Sequence, residues 1–535
     1  MSSNRLTIPI INELFTSLKL TPSQLIAFCH QLASQTNSSF NIFSQLTPLD
    51  VAFQASLEST QRYAKGIPKS ALDGVPVSIK SNIAVKGFPL TANSNILQNT
   101  AGYDSILVQK LKKAGAIIIG QTNMDEFGMG SLGHHSNNGY TVNPLQFLQD
   151  ISLEEYIQRI QNGNVPNVEI GMGDTVVSPG GSSSGSAASV SMGSSIISIG
   201  TDTGGSVRLP SAWCGVVGFK PTYGSISRDG VISYASSLDT VGIIAPTVEC
   251  AGFALDIIKN GKEDHGNSDC DENDPIDWQS DVRDSTACFL EPVAYPNSSS
   301  SDLTGMKIGI PAAFSIEGCP KQVHQAWDKA IERLQERGAT IICVSDTVLS
   351  PETVKMCLPA YYVLSCAEAS SNLSRYDGLR YGMSNKNGSV PTGLNQREGQ
   401  FAATRSLGFG REVQRRILAG TAVLSSDRFH SHYEGATNVR GQITKELNAA
   451  FNEVDLMVIP TAVTNPPALG PFMQPDSTEA FKNDVMTVPI SLAGLPSISI
   501  PVLTKDQHRG VGMQIFGPRL SENKVLHAAR LLNGL

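Results

Sequence analysis

The chain has 535 residues, of which 40% are hydrophobic and 16% charged, with 48 Gly and 29 Pro. This composition excludes a coiled coil, a collagen-like chain and a wholly disordered protein, and it supplies a sizeable apolar core. The 40 Lys and Arg against 48 Asp and Glu give a net charge of −8. Because the basic residues are dispersed along the chain, unaided binding of nucleic acid is not expected.

The first twenty residues contain only Arg5 and Lys19 as basic residues and lack the long apolar run of a secretory signal. We expect an ordinary first helix at 10–18, with an amphipathic transit peptide as the alternative. Since no apolar run reaches about 18 residues, a membrane span is not expected. The 9 cysteines show no CxxC spacing, which favours a reducing compartment and no structural zinc.

Short β-branched runs alternate with helical patterns along much of the chain. Residues 74–79 and 116–120 are typical of strands, and a helix is expected between them at 105–114. The second half of the chain repeats this alternation at 306–310, 322–337, 340–344 and 454–459. The pattern predicts an α/β fold with a largely buried sheet.

Three segments depart from this alternation. Residues 262–301 are rich in Asp, Asn and Ser and predict a solvated acidic loop, with a metal site as the weaker alternative. Residues 383–402 also predict a loop. Residues 145–177 contain a short helical pattern at 153–160, which Asn162-Gly163 ends.

Two loops concentrate small residues. The first, 178–188, reads SPGGSSSGSAA, and the second, 200–208, reads GTDTGGSVR. A helix at 186–192 and a strand at 195–199 are expected between them. Such a helix and strand extend about 13 Å and about 16 Å, so an antiparallel pair returns the chain to its starting level. The two loops are therefore expected to meet at one end of the sheet.

The second loop suits an oxyanion hole, because glycine lets backbone N–H groups at 203–206 approach a reacting atom closely. A serine nucleophile there needs a base, and a Ser-His-Asp arrangement through His134 or His135 stays open. Residues 181–185 also fit the G-x-S-x-G nucleophile elbow, but the preceding Pro and Gly interrupt the strand that the elbow requires. A phosphate loop would need a G-K-[ST] that is missing, and a flexible linker remains the other alternative.

The two loops, together with the run Gly74-Val75-Pro76-Val77-Ser78-Ile79-Lys80-Ser81-Asn82, resemble the amidase signature family. The resemblance implies an α/β/α fold in which a large mixed central sheet is covered by helices, formed by a single domain over 1–535 with its core at 20–535. It also implies a Ser-Ser-Lys triad, with Ser206 as nucleophile, Ser182 as bridging serine held by a cis peptide, and Lys80 as base. The oxyanion would then be bound by N–H groups of Thr203, Gly204, Gly205 and Ser206.

The proposed base must be neutral, and burial lowers the pKa of a lysine. Lys80 follows an apolar strand, so we expect its amine beside the serine loops, although a lone lysine at a strand end is usually solvated. Two residues depart from the family pattern: Ser81 replaces Asp and Ser184 replaces Gly. Ser184 would strain its loop if its φ were positive. The segment 145–177 is longer than in the family, which predicts an inserted lobe near the site entrance.

Further runs narrow the resemblance to the glutamine-hydrolysing subunits of tRNA-dependent amidotransferases. These runs lie at 122–131, 218–224, 368–373 with 376–378, 408–413 and 492–496. The resemblance implies that Arg416 binds the glutamine α-carboxylate and Asp484 its α-ammonium group, with Tyr361 nearby. Asp202 and Arg208 are expected to brace the nucleophile loop.

This narrower resemblance implies that glutamine is hydrolysed here and that ammonia passes to a partner, which converts Glu-tRNA(Gln) to Gln-tRNA(Gln). It implies a heterotrimer with a B-type and a small C-type or equivalent subunit, with tRNA, ATP and magnesium held mainly by these partners and no metal or cofactor on this chain. The three segments that depart from the strand-helix alternation and the scattered cysteines suggest a location in the mitochondrial matrix, with the cytoplasm as the alternative. A stand-alone amidase and an inactive scaffold stay open, although a scaffold needs none of Lys80, Ser182 and Ser206.

Overall fold

The computed structural model of the protein describes residues 5–171, 173–260, 302–316, 319–385, 393, 395–469, 481–502 and 511–533. One mixed sheet of 11 strands runs through these residues, in the order β1-β3-β2-β4-β6-β5-β10-β11-β9-β7-β8. The strands are β1 (Phe43–Leu46), β2 (Pro76–Lys80), β3 (Ile117–Thr122), β4 (Ile197–Asp202), β5 (Val217–Lys220), β6 (Thr240–Ala245), β7 (Lys307–Pro311), β8 (Thr340–Val344), β9 (Leu456–Pro460), β10 (Ser497–Pro501) and β11 (Gly512–Phe516).

The described helices are numbered in chain order. They are α1 (Ile8–Thr16), α2 (Pro22–Phe40), α3 (Leu49–Ala64), α4 (Ile106–Lys113), α5 (Leu153–Asn162), α6 (Ser184–Met192), α7 (Arg208–Trp213), α8 (Val248–Ile258), α9 (Lys321–Glu336), α10 (Pro351–Asn372), α11 (Gln396–Gly408), α12 (Arg411–Val423), α13 (Gly435–Ala450), α14 (Val488–Leu492) and α15 (Glu522–Asn533). This alternation confirms the expected α/β class.

The direction of the strands changes along the sheet. At one end β2 pairs in parallel with β3 and β4, and at the other β7 pairs in parallel with β8 and β9. The strands between them pair antiparallel, through β6, β5, β10 and β11. Every residue of β2, β3, β4 and β6 is buried. Since successive side chains point to opposite faces, helices must cover both faces of this part of the sheet.

The helix predicted at 10–18 is present as α1, which begins two residues earlier. Thr7 caps it, and Pro9 occupies a first-turn position where a missing N–H costs nothing. The helix predicted at 153–160 is also present as α5, which Ser152 caps and Gly163 ends in the left-handed conformation. No helix in the described part of the chain combines the length and apolar character needed to cross a bilayer.

The loop predicted at 383–402 is wrong in its last part, because α11 begins at Gln396. Asn395 accepts a hydrogen bond from the Glu398 N–H, and the Glu398 side chain accepts one from the Asn395 N–H. This reciprocal capping box satisfies two backbone donors and starts a helix in a polar sequence. The N-x-x-E spacing is the sequence signal of this helix start, although the polar composition around it is typical of a loop. The predicted acidic loop at 262–301 lies outside the described residues.

The helix of the segment 145–177, α5, packs on α2, where the rings of Phe28 and Tyr156 meet edge to face at 5.7 Å. Tyr156 also contacts Gly193, the residue that ends α6, so closely that a Cβ on this glycine would lie 2.7 Å from the phenol oxygen. The helix of this segment therefore contacts the end of α6 that is remote from the serine loop.

Candidate active site

Strand β2 carries Lys80 into the interior at its last position. The strand lies between β3 and β4, and Lys80 is fully buried. Its Nζ donates hydrogen bonds to Ser182 Oγ at 2.8 Å and to Thr201 Oγ1 at 2.9 Å. Thr201 lies near the end of β4, so two neighbouring parallel strands fix the amine. The predicted contact between Lys80 and Ser182 is therefore present.

The electrostatic surroundings of Lys80 favour its neutral form. Burial lowers the pKa of Lys80 to about 7, although the carboxylates of Asp125, Asp202 and Asp239 oppose this shift. No carboxylate among the described residues forms an ion pair with the amine. A free amine is therefore well populated near neutral pH, as a general base requires.

A tightly packed loop holds Ser182 against Lys80. The Gly181–Ser182 peptide bond is cis, as the family resemblance implies. The Asp125 N–H donates to the Ser182 carbonyl at 3.2 Å, and the Asp125 side chain accepts hydrogen bonds from the N–H groups of Gly133, at 3.1 Å, and His135, at 2.8 Å. A Cβ at Gly181 would lie 2.1 Å from Asp125 Oδ2, so only glycine fits there.

Ser184 does not strain the serine loop. It is the first residue of α6, where the backbone is helical, and its φ is not positive. Its hydroxyl lies 3.3 Å from Thr141 Oγ1. The helix thus begins two residues before the predicted 186, and β4 starts two residues after the predicted 195. Since α6 follows a loop rather than a strand, the nucleophile-elbow alternative does not apply.

The second loop leaves β4 and places Ser206 beside the first. The Ser183 N–H donates to the Ser206 carbonyl at 3.1 Å, so the two loops meet as predicted. No described residue accepts a hydrogen bond from the N–H groups of 203–206. They are free to bind a developing oxyanion. Gly205, at φ +155°, brings the loop so close to Thr487 that a Cβ would lie 2.3 Å from Thr487 Oγ1.

Asp202 and Arg208 brace the nucleophile loop, as predicted. Both side chains are fully buried and form an ion pair with a 2.9 Å contact between Arg208 Nη2 and Asp202 Oδ1. Burial alone raises the pKa of Asp202, but the Arg208 guanidinium outweighs it and holds that pKa below its usual value. Arg208 also donates to Ser491 Oγ at 2.6 Å and to the Thr487 carbonyl at 3.0 Å. The pair ties the loop to α14.

The structure brings the three predicted substrate-binding residues to Ser206. They line one small cavity with the nucleophile loop, and its wall comprises Gly128, Gly130, Ser131, Gly204, Gly205, Ser206, Tyr361, Tyr362, Arg416 and Asp484. The cavity measures about 10 Å³, which is room for about one water molecule. A larger molecule requires movement of the lining side chains.

A cation and an anion, Arg416 and Asp484, both line this cavity. Arg416 donates from Nε to Glu412 Oε1 at 2.8 Å and from Nη1 to the Tyr234 hydroxyl at 2.6 Å. Its Nη2 donates no hydrogen bond to a described residue. Asp484 accepts from the hydroxyls of Ser131 and Tyr362, each at 2.8 Å. Burial raises the pKa of Asp484 to about 6, although these two hydrogen bonds oppose the rise.

Sequence reasoning missed several residues of this pocket. Tyr362, Ser131, Tyr234 and Glu412 each hold a charged pocket group by a hydrogen bond. Ser131 ends one of the runs that carry the family resemblance, but nothing in the spacing shows that it touches Asp484. His135 was the remaining alternative base. Its N–H bonds Asp125, its ring stacks on His134 at 3.9 Å, and no described contact joins either ring to the serines.

Comparisons with known proteins agree with this geometry. A family model described as amidase matches residues 24–147 and 173–526, and residues 148–172 lie outside the match. The A-type subunit of glutamyl-tRNA(Gln) amidotransferase from Cereibacter sphaeroides is 36% identical over 537 residues, covering 99% of this chain and 97% of the relative. The protein of the same name from Carboxydothermus hydrogenoformans is 37% identical over 481 residues, covering 90% and 87%.

Solved structures share the architecture. The A-type subunit of glutamyl-tRNA(Gln) amidotransferase from Thermotoga maritima matches with a TM-score of 0.69 and 30% identity, covering 99% of this chain and 94% of that one. A crystal structure described as an amidase has a TM-score of 0.71 at 24% identity, covers 98% of this chain and 99% of that one, and shares the fold. Since the family model matches well over half of the residues, the chain belongs to the amidase signature family.

Proposed function

We propose that this chain is the glutamine-hydrolysing subunit of a tRNA-dependent amidotransferase, which supplies ammonia for the conversion of Glu-tRNA(Gln) to Gln-tRNA(Gln). The names of the full-length relatives support this assignment. The single observation that carries it is the small pocket that Ser206, Arg416 and Asp484 line together, beside the hydrogen-bonded pair of Lys80 and Ser182.

In the proposed reaction, Ser206 Oγ attacks the side-chain amide carbon of glutamine. Its proton passes through Ser182 to the neutral amine of Lys80, while the N–H groups of 203–206 bind the oxyanion. Collapse of the tetrahedral intermediate breaks the C–N bond and returns a proton to the departing nitrogen, which leaves as ammonia. Water then hydrolyses the glutamyl ester, and glutamate departs with Ser206 restored.

The pocket suits the α-amino acid end of glutamine. The free Nη2 of Arg416 offers a charge-assisted hydrogen bond to the α-carboxylate, and the Asp484 carboxylate offers one to the α-ammonium group. Tyr361 packs against Gly204, where a Cβ would lie 2.6 Å from its ring, so it sets the wall between this end and the nucleophile. A stand-alone amidase for neutral amides would have no use for paired opposite charges.

The tRNA-dependent step is proposed to take place on partner subunits. A net charge of −8 supports the assignment of tRNA binding mainly to a B-type subunit, with a small C-type or equivalent subunit completing a heterotrimer. Because the tRNA-dependent step is assigned to the partners, ATP and magnesium are assigned to a partner as well. This chain is proposed to hold no cofactor.

We also propose the mitochondrial matrix as the location, on the basis of the acidic excursion at 262–301 and the scattered cysteines. The relatives named above are bacterial. Fractionation of cells that express the tagged chain tests this proposal. Co-sedimentation with a matrix marker supports it, and a cytoplasmic chain contradicts it.

The function is tested by measuring ammonia release from glutamine by the chain alone, and with partner subunits, Glu-tRNA(Gln) and ATP. We expect release that rises with the partners and is lost in Ser206→Ala, while the exposed-serine control Ser374→Ala behaves as wild type. Hydrolysis of other amides with glutamine ignored would indicate a stand-alone amidase. Inactivity in every mixture would indicate a scaffold.

A further inference from the structure

A second and larger cavity lies away from the catalytic residues. It measures about 180 Å³ and is enclosed by the start of the chain, the segment 145–177 and the C-terminal end of α6. Ser182 precedes the other end of α6, and nine helical residues extend about 13 Å. The cavity is therefore separate from the glutamine pocket.

Arg5 faces this cavity without an ion-pair partner among the described residues, and the wall also includes Arg159, which pairs with Glu155, and the exposed Asp150. The Nη1 of Arg5 is buried without a hydrogen-bond partner. No carboxylate in the described part of the chain forms an ion pair with Arg5. The four residues that precede it, Met-Ser-Ser-Asn, carry no acidic side chain. Cys214 and Tyr156 could balance the charge of Arg5 only as a thiolate and a phenolate. Burial raises the pKa of both groups, so both stay neutral.

This arrangement is unfavourable for the empty protein. A guanidinium stays protonated at any physiological pH, and burying a charge without a partner is strongly unfavourable. Burial accordingly lowers the pKa of Arg5 from its ordinary value. A bound anion would remove this cost by accepting the hydrogen bond that Nη1 cannot make within the protein.

The rest of the wall is largely apolar. Leucine, aromatic and other hydrophobic side chains surround the guanidinium, among them Leu6, Leu32, Leu145, Phe147, Met192 and Ile196. The exposed residues Gln149, Asp150 and Asn167 lie at the rim. A cavity of about 150 Å³ accommodates benzene, so this one has room for an apolar ring or branched chain and a short extension.

Much of the cavity wall comes from residues 148–172, which lie outside the family match, including Leu148, Tyr156 and Val168. This cavity shares no lining residue with the pocket that holds Ser206, so it is not a subsite of the amidase reaction. Its ligand is therefore to be inferred from the cavity itself.

We propose that this cavity is a second ligand site, which binds a small amphipathic carboxylate with its anionic group on Arg5 and its apolar body between α2, α6 and the segment 145–177. The proposal does not depend on the glutaminase function, since it concerns a different pocket. The expected ligand is a monocarboxylate whose apolar body is about as large as a benzene ring that carries a short chain.

Binding of 3-phenylpropionate to the full chain, measured by calorimetry and by thermal unfolding, tests the proposal. We expect saturable binding and a raised Tm. Arg5→Met should weaken the affinity about ten-fold or more, because it removes a charge-assisted hydrogen bond and leaves an unbranched apolar side chain in its place. Arg416→Met, which disables the proposed glutamine pocket, should bind the probe as wild type does. The neutral isostere 3-phenylpropanol should bind more weakly than the acid.

Stability supplies a second readout. Without ligand, Arg5→Met should have a Tm at least equal to that of wild type, because it removes an unpaired buried charge. Absence of saturable binding to wild type, equal affinity in Arg5→Met, or loss of binding in Arg416→Met would each overturn the proposal. A large drop in the Tm of ligand-free Arg5→Met would overturn it as well, by showing that Arg5 has a partner within the chain.

Discussion

The buried amine of Lys80 makes a specific prediction about pH. Because the pKa of Lys80 is about 7 and the neutral amine is the base, kcat for glutamine should fall as pH drops through 7, about ten-fold per unit, and level off above it. The measurement is the pH profile of ammonia release by the assembled complex. In Lys80→Arg the permanently charged side chain should lower kcat by roughly 10²–10⁴-fold. The exposed-lysine control Lys113→Arg should keep the wild-type profile.

The carboxylate of Asp484 makes a prediction about binding rather than chemistry. Asp484→Asn removes the charge that would face the glutamine ammonium, so KM should rise about ten- to hundred-fold while kcat changes little. Since burial raises the pKa of Asp484 to about 6, the wild-type KM should rise as pH falls below 6. Steady-state kinetics with glutamine measure both. Tyr362→Phe, which keeps the charge, should have a smaller effect. An unchanged KM in Asp484→Asn would contradict the assignment.

At the scale of single residues, the sequence predicted which residues form the site better than it predicted the residues that hydrogen-bond to them. The motif match gave Lys80, Ser182 and Ser206, and their contact follows from two adjacent strands and two loops that return to one end of the sheet. The hydrogen bonds of Asp484 could not be predicted, because Ser131 and Asp484 are separated by 353 positions. Local sequence encodes a strand or a turn, whereas such a pairing depends on the packing of the whole chain.

At the scale of elements, the nucleophile loop depends on a glycine. A Cβ on Gly205 would overlap the Thr487 side chain near the start of α14, and φ is +155°. Gly205→Ala should therefore reduce the free energy of unfolding by about 1–3 kcal/mol. The matched control is Gly441→Ala in the middle of α13, where a Cβ meets no atom within 4 Å. It should stabilise the protein by about 0.5–1 kcal/mol. Denaturant titration distinguishes the two, and equal effects would contradict this description.

Elements were predictable where local patterns are strong. The β-branched runs gave β2, β3 and β8 to within a few residues, and Asn162-Gly163 gave the end of α5. The combination of parallel and antiparallel strands could not be predicted from any local stretch of sequence, because it arises from pairings between distant strands such as β5 and β10. The packing of α5 on α2 could not be predicted from local sequence for the same reason. Its contact with α2 depends on a distant aromatic pair.

At the scale of the whole molecule, Arg208 connects parts of the chain that are far apart in sequence. Its guanidinium binds Asp202, Ser491 and Gln514, so it joins β4, α14 and β11. Arg208→Met should cost about 3–5 kcal/mol of unfolding free energy, because it leaves Asp202 buried without its partner. Arg380→Met, in an exposed ion pair with Asp377, should cause no measurable change. If Arg208→Met were as stable as wild type, the Asp202–Arg208 ion pair would not stabilise the fold as described.

The most direct test of the central claim is identification of the residue that becomes acylated during glutamine hydrolysis. The assembled complex is quenched in acid during turnover, and its peptides are examined by mass spectrometry. A glutamyl ester on the peptide that contains Ser206, absent in Ser206→Ala, is the predicted result. A glutamyl adduct on another residue, or continued glutamine hydrolysis by Ser206→Ala, would contradict the account.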